Sequence, residues 1–146
     1  MAIPEFTDSG DLPVGIHRAL LKEAIDRLGK ETSIRKHLAR RLERIYQIAL
    51  NTGHLRHFVI FGSFVTSKLE PNDVDVFMIM DNNFEYRTLT GESALLFNHQ
   101  TADSHFGCSI FWTRQSAAFG GEQQAMEDWQ IKRDGTLRGI VEISGE

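Results

Sequence analysis

The sequence holds little of what staples, breaks or anchors a chain. One cysteine, Cys108, among 146 residues has no partner for an intramolecular disulfide. Stability therefore has to come from a packed core, and the composition suits a reducing cytoplasm. Prolines number three. Two of them, Pro4 and Pro13, stand near the start, so only Pro71 interrupts the rest of the chain. No apolar run approaches the roughly 20 residues that span a bilayer, and the N-terminus lacks the basic-then-apolar plan of a secretory signal. An excess of positive charge is missing too: 16 basic residues face 20 acidic ones, for a net charge of −4. That balance argues against broad charge-driven binding to nucleic acid, while a local basic face stays open.

What is present reads as an ordinary globular chain, 41% hydrophobic and 25% charged, enough for one domain with one core. We read residues 1–146 as a single α+β domain in which residues 1–15 form an N-terminal arm turning at Asp8-Ser9-Gly10. Helical periodicity runs from Ile16 to Leu28 and stops at Gly29. A second helix starts at a Thr32 or Ser33 cap and runs to about Asn51, with Gly53 as its stop. Strands are expected at Phe58–Phe61, Asp73–Met80 and Phe106–Trp112, with a closing strand or extended tail at Gly139–Ile143. A helical turn at 84–89, a short helix at 92–99 and a helix over 120–132 fill the gaps. The plan is two helices packed on a small mixed sheet, with a site at one end of the strands.

That site is written in the stretch from His57 to Asp81, HFVIFGSFVTSKLEPNDVDVFMIMD. An apolar strand ends at Phe61, and Gly62-Ser63 breaks it. Gly62 allows a phosphate to approach the backbone more closely than a residue with a Cβ would. Ser63 adds a hydroxyl at the start of a turn whose N–H groups can face an anion. After a spacer of nine residues, Asp73-Val74-Asp75-Val76 opens the next strand. Side chains alternate across a strand, so Asp73 and Asp75 point the same way. Two carboxylates that close are costly unless a cation lies between them or one is protonated. Oxygen-only ligands suit Mg²⁺ or Mn²⁺. Thr66 and Lys68, just past the turn, offer a hydroxyl and an ammonium for phosphate oxygens. The bland reading of each is a helix-facing Thr and a solvated Lys.

The arrangement resembles the nucleotidyltransferase superfamily, whose signature is an apolar residue, Gly-Ser, a short spacer, and acid-apolar-acid in a strand. The resemblance implies the DNA polymerase beta-like nucleotidyltransferase fold, a small mixed sheet flanked by helices. It also implies an NTP donor, metal ligation by Asp73 and Asp75, and phosphate binding by Gly62 and Ser63. In that superfamily a third acid in the following strand completes the metal site. Ser109 stands at the corresponding place here, and a hydroxyl cannot act as a base near neutral pH. Asp103 lies six residues earlier, in what reads as a loop. The outer motifs Asp11-Leu12-Pro13-Val14-Gly15-Ile16-His17 and Lys132-Arg133-Asp134-Gly135, with Arg138-Gly139 beyond, look like an uncharacterised bacterial family of stand-alone nucleotidyltransferase-like proteins. They carry no known chemistry. Lys132 and Arg138 reach the site only if the C-terminal segment packs beside it.

Two functions follow as expectations. The first is an enzyme that transfers a nucleoside monophosphate from an NTP to a hydroxyl on a protein, an RNA or a small molecule. The second is a binding module of the same fold without turnover, an antitoxin-like partner or a nucleotide sensor, as the family's kinship to toxin–antitoxin pairs implies. For so short a chain the acceptor is expected to be a partner protein, toxin-like in the family context, or a second copy of the chain is expected to complete the pocket. For either reading, the outer face of the second helix, with Arg35, Lys36, Arg40, Arg41 and Arg44, is a candidate contact surface, although most such runs are simply solvated. His37, His54 and His57 show no metal-ligand spacing. Cys108 reads as a buried core residue.

Overall fold

In the computed structural model, which describes residues 3–144, the two motif strands lie side by side in one five-stranded sheet. Met1 and Ala2 of the expected arm, with Gly145 and Glu146 at the other end of the expected domain, lie outside the described residues. The chain runs through β1 (Ile16–Leu20), α1 (Leu21–Leu28), α2 (Ser33–Asn51), β2 (Leu55–Phe61) and β3 (Asp75–Met80). It continues through α3 (Gly91–Leu96), α4 (His99–Phe106), β4 (Ser109–Arg114), α5 (Glu122–Glu127) and β5 (Ile140–Ser144). Strand order is β1-β5-β2-β3-β4. β2 runs antiparallel to both β3 and β5, whereas β1–β5 and β3–β4 are parallel. The α+β class with a mixed sheet is therefore as expected.

Burial alternates along the strands and gives the sheet two apolar faces. Phe58, Ile60, Met78 and Met80 turn toward α1–α4, among them Leu38, Leu42, Ile45 and Ala49 of α2. Val59, Phe77, Ile79 and Ile140 turn the other way, onto Ala125 and Met126 of α5 and onto Trp129. Thr32 caps α2 as its sequence suggests, its Oγ1 accepting from the Arg35 N–H at 3.2 Å. No helix among the described residues is long and apolar enough to cross a membrane.

Two expectations need correction, and one choice between alternatives is decided. Ile16–Leu20 is a strand rather than the first turn of a helix; it pairs with β5, from Ile16 opposite Ile140 to Leu20 opposite Ser144. Apolar residues at Ile16 and Leu20 satisfy a helical period equally well, and only the distant partner decides between the two. The closing segment takes the strand form of its expectation, not the tail: β5 lies inside the sheet between β1 and β2. Finally, the segment before the third strand is a helix, α4, which shortens that strand to Ser109–Arg114. Asn98 is its cap, accepting from the N–H groups of Gln100 and Thr101, and left-handed Gly107 ends it.

One polar cluster sits within the sheet. His57 on β2 bonds the buried Glu142 of β5 through Nδ1 at 2.6 Å and Glu122 of α5 through Nε2 at 3.1 Å. Arg18 also reaches Glu142, and Arg56 reaches Glu122. The bond to Glu142 holds the His57 pKa above its ordinary value against the effect of burial. Burial pulls Glu142 upward, but the bonds from His57 and Arg18 outweigh it and keep its carboxyl below the usual range. A raised histidine stabilises below its unfolded value and loses that contribution as pH rises through the folded one; a depressed carboxylate stabilises above its unfolded value. Both contributions overlap between 4.5 and 6.5, the ordinary values of the two groups. The melting advantage of the parent chain over His57→Gln is thus expected to peak in that window and to shrink as pH rises through the raised value of His57. A difference that stays flat across the range would contradict this coupling.

Candidate functional site

Three strand ends meet at one edge of the sheet. β2 ends at Phe61, which pairs with Asp75 at the start of β3. Asp75 pairs in turn with Ser109, the first residue of β4. Asp73 precedes the strand instead of opening it, yet both acids line the same cleft and the charge of Asp73 acts on Asp75. Ser109 donates its hydroxyl to Asp73 Oδ2 at 3.3 Å. The register thus sets Ser109 directly beside the acid pair.

Asp75 is the electrostatic centre of this edge. Burial, then the neighbouring charge of Asp73 and the hydrogen bond between them, push its pKa up to about 7. The Ser109 hydroxyl and the Arg138 guanidinium act in the opposite direction. Near neutral pH the free pair therefore shares a proton. Among the described residues no group of three or more His, Cys, Asp or Glu side chains is arranged to hold a metal. The local donor set is two carboxylates and one hydroxyl.

Gly62 packs against that pair. Its φ of 80° and ψ of −162° belong to the region that only glycine adopts freely, and a Cβ built there would overlap the Asp75 carboxylate. Gly62→Ala is accordingly expected to lose about 1–3 kcal/mol of unfolding free energy in urea, because both the backbone and Asp75 must move. Equal stability of the two chains would show that the edge is loose. After Gly62, a 3₁₀ turn spans Ser63–Val65.

The edge opens into a cleft of about 550 Å³. Gly62, Ser63, Asp73 and Asp75 line it, as does Lys68 from the loop. The segment after α5 supplies the rest of the wall: Trp129 and Ile131 its apolar part, Lys132, Arg133 and Arg138 its positive charge, and Asp134 one negative charge. Trp129 stacks on Phe61 at 4.4 Å between ring centroids, which fixes this wall against the strand end. The C-terminal segment thus packs where Lys132 and Arg138 face the acids.

Other expected residues are not brought together here. Thr66 is buried with its hydroxyl donated to the Ser63 carbonyl at 2.7 Å and accepting from the Lys68 N–H; it shapes the loop and does not line the cleft. Asp103 lies on the exposed side of α4, not in a loop, and is absent from the cleft wall. The basic face of α2 is broken as well. Arg35 is 4% exposed and points inward, and Arg44 pairs with Glu92, leaving Lys36 and Arg40 as exposed cations beside the half-buried Arg41. Spacing along the helix alone does not separate the inward Arg35 from its solvated neighbours. Cys108 is buried, and burial pushes its thiol up to about 11, far from a reactive thiolate.

Asp11 is the residue that pattern reading missed. Its Oδ2 lies 3.0 Å from Lys132 Nζ and its Oδ1 lies 3.7 Å from Arg138 Nη1. The only sign of it in the sequence was the Asp11-Leu12-Pro13 string, which has no chemistry until its partners are known.

A family model described as a family of unknown function, DUF6932, matches residues 4–144. No curated protein and no solved structure matches the chain.

Proposed function

The chain belongs to DUF6932, and we propose that it transfers a nucleoside monophosphate from an NTP to a hydroxyl acceptor at the Asp73–Asp75 edge, on a nucleotidyltransferase-type fold. One observation carries this reading. The Gly62-Ser63 turn packs against Asp75, one of two neighbouring half-buried carboxylates in a cleft whose other charged residues are mainly cationic. Acids alone would repel a triphosphate, and cations alone would not require a buried carboxylate pair. The combination suits a polyphosphate that arrives with a divalent cation.

The donor atoms fit a hard ion, since all are oxygens: Asp73 and Asp75 would hold Mg²⁺ or Mn²⁺, with the Ser109 hydroxyl beside them. When bound, such an ion neutralises phosphate charge and draws electron density from the reacting phosphorus. The chain's own residues do the rest. Gly62 leaves room for the Asp75 carboxylate at the turn, the Ser63 hydroxyl receives phosphate oxygens, and Lys68, Lys132 and Arg138 balance charge on the leaving pyrophosphate. The acceptor oxygen forms a bond to the α-phosphorus as the bond to pyrophosphate breaks, and the hydroxyl proton passes to water. Trp129 and Ile131 shield one wall of the cleft from solvent.

Calorimetry of the four NTPs with Mg²⁺ or Mn²⁺ tests the reading: binding that requires the metal is expected, and its absence for every nucleotide would end it. Ser109, standing in register with Asp75 where a third carboxylate would serve as base, favours a second reading, a nucleotide-binding module without turnover. Metal-dependent binding with no pyrophosphate released in the presence of protein, RNA or small-molecule acceptors would select it.

A further inference from the structure

The two outer motifs that carried no chemistry in the sequence clasp each other beside the cleft. Ile131 and Leu137 bridge, and the N–H of Gly135 bonds the Lys132 carbonyl, so residues 131–137 fold back as a small hairpin. The N-terminal segment holds both of its ends. Gly15 donates its N–H to the buried Gln130 side chain at 2.6 Å, and Gly139 donates its N–H to the Leu12 carbonyl at 3.0 Å. Gly139 has no room for a Cβ, which would overlap the Pro13 carbonyl and press on His17 Nε2 at 2.9 Å. Asp11 closes the clasp through Lys132 and Arg138.

We propose that this hairpin is the polyphosphate-binding arm of the cleft, and that Asp11 is the positioning residue that aims Lys132 and Arg138 into it. The identity of the ligand rests on the nucleotidyl-transfer reading; the arm and its charge do not. Asp11 carries one negative charge and faces two cations, so the pair keeps a surplus positive charge where it meets the cleft. Arg133 on the same turn and Lys68 from the loop add two more. A clasp needed only for folding would be complete with one cation. With a divalent ion on the two acids, their charges are balanced; Asp11 and Asp134 offset part of the charge of Lys68, Lys132, Arg133 and Arg138, and a positive surplus remains for a group with several negative oxygens. Lys132 and Arg138 are only about a quarter exposed, so their side chains are already largely ordered before a ligand arrives.

The test uses tripolyphosphate in EDTA, which removes both the nucleoside and the metal. Calorimetry on the full chain should show binding that falls about 100-fold in the Lys132→Ala/Arg138→Ala double variant. It should fall about 10-fold in Asp11→Asn and return in Asp11→Glu, each checked for native circular dichroism. Unchanged affinity in the double variant would overturn the arm. A lower melting midpoint in Asp11→Asn with unchanged tripolyphosphate affinity would overturn the positioning role. Asp75→Asn should bind tripolyphosphate at least as well as the parent. If it does while no chain binds any NTP with Mg²⁺ or Mn²⁺, the arm stands and the nucleotidyl-transfer reading falls. If metal-dependent NTP binding survives intact in the double variant, the arm falls and that reading stands.

Discussion

Asp75→Asn is expected to melt higher than the parent chain in EDTA at pH 8, and in the same preparation to lose metal-dependent NTP affinity by at least about 100-fold. The two effects have one cause. In the free protein Asp75 is held at about 7, mainly by burial and by Asp73, so ionising it costs folding free energy. The unfolded carboxyl ionises near 3.8. A raised carboxylate therefore contributes nothing unfavourable at low pH, a growing penalty from about 4 to 7, and a constant one above that. Asparagine keeps the shape and removes the penalty. The melting difference between variant and parent should rise over that interval and then level off. A variant that melts lower at every pH would mean that Asp75 is a structural acceptor and not a strained ligand. Retained NTP affinity would remove Asp75 from the binding site.

The second large effect is structural and comes from a residue that looked solvated. Arg35 sends its guanidinium under the Gly62–Lys68 loop, with Nη1 donating to the carbonyls of Leu28 and Phe64 and Nε to that of Lys68, each at 2.9 Å. Nη2 reaches the Thr66 and Ser63 carbonyls at 2.5 and 3.5 Å. Burial, with Arg27 nearby, lowers its pKa despite Glu31. The charge is stabilised largely by these carbonyl dipoles. Arg35→Met fills similar space yet removes the guanidinium donors from the Leu28, Phe64, Thr66 and Lys68 carbonyls, which predicts a loss on the order of 3–5 kcal/mol. Arg35→Lys should recover little, because an ammonium cannot span carbonyls arranged for a planar fork. The loop carries Ser63 and Lys68, so folded Arg35→Lys is also expected to bind nucleotide more weakly. Urea unfolding decides the matter: a change below about 1 kcal/mol would show that water replaces the guanidinium without difficulty.

The motif edge was legible in the sequence because its determinants are local. An apolar run ending in Gly-Ser, and alternation through Asp73-Val74-Asp75, place a turn and a carboxylate pair at neighbouring strand ends whatever surrounds them. The length of α2, its Thr32 cap and its buried stripe were legible for the same reason, since a helix satisfies its hydrogen bonds within its own segment. Strand β1 was not. Ile16–Leu20 meets its partner β5 more than a hundred residues later, and its apolar spacing fits a helix as well as a strand. Arg35 and Asp11 share that difficulty: one is defined by carbonyls of a distant loop, the other by two cations near the C-terminus. What the chain alone determined is the chemistry at the strand ends, glycine, serine and two acids. Which cations face those acids, and that Ser109 lies beside Asp75, was decided only by tertiary structure, because both depend on strand register and on the meeting of two chain ends that no local preference encodes.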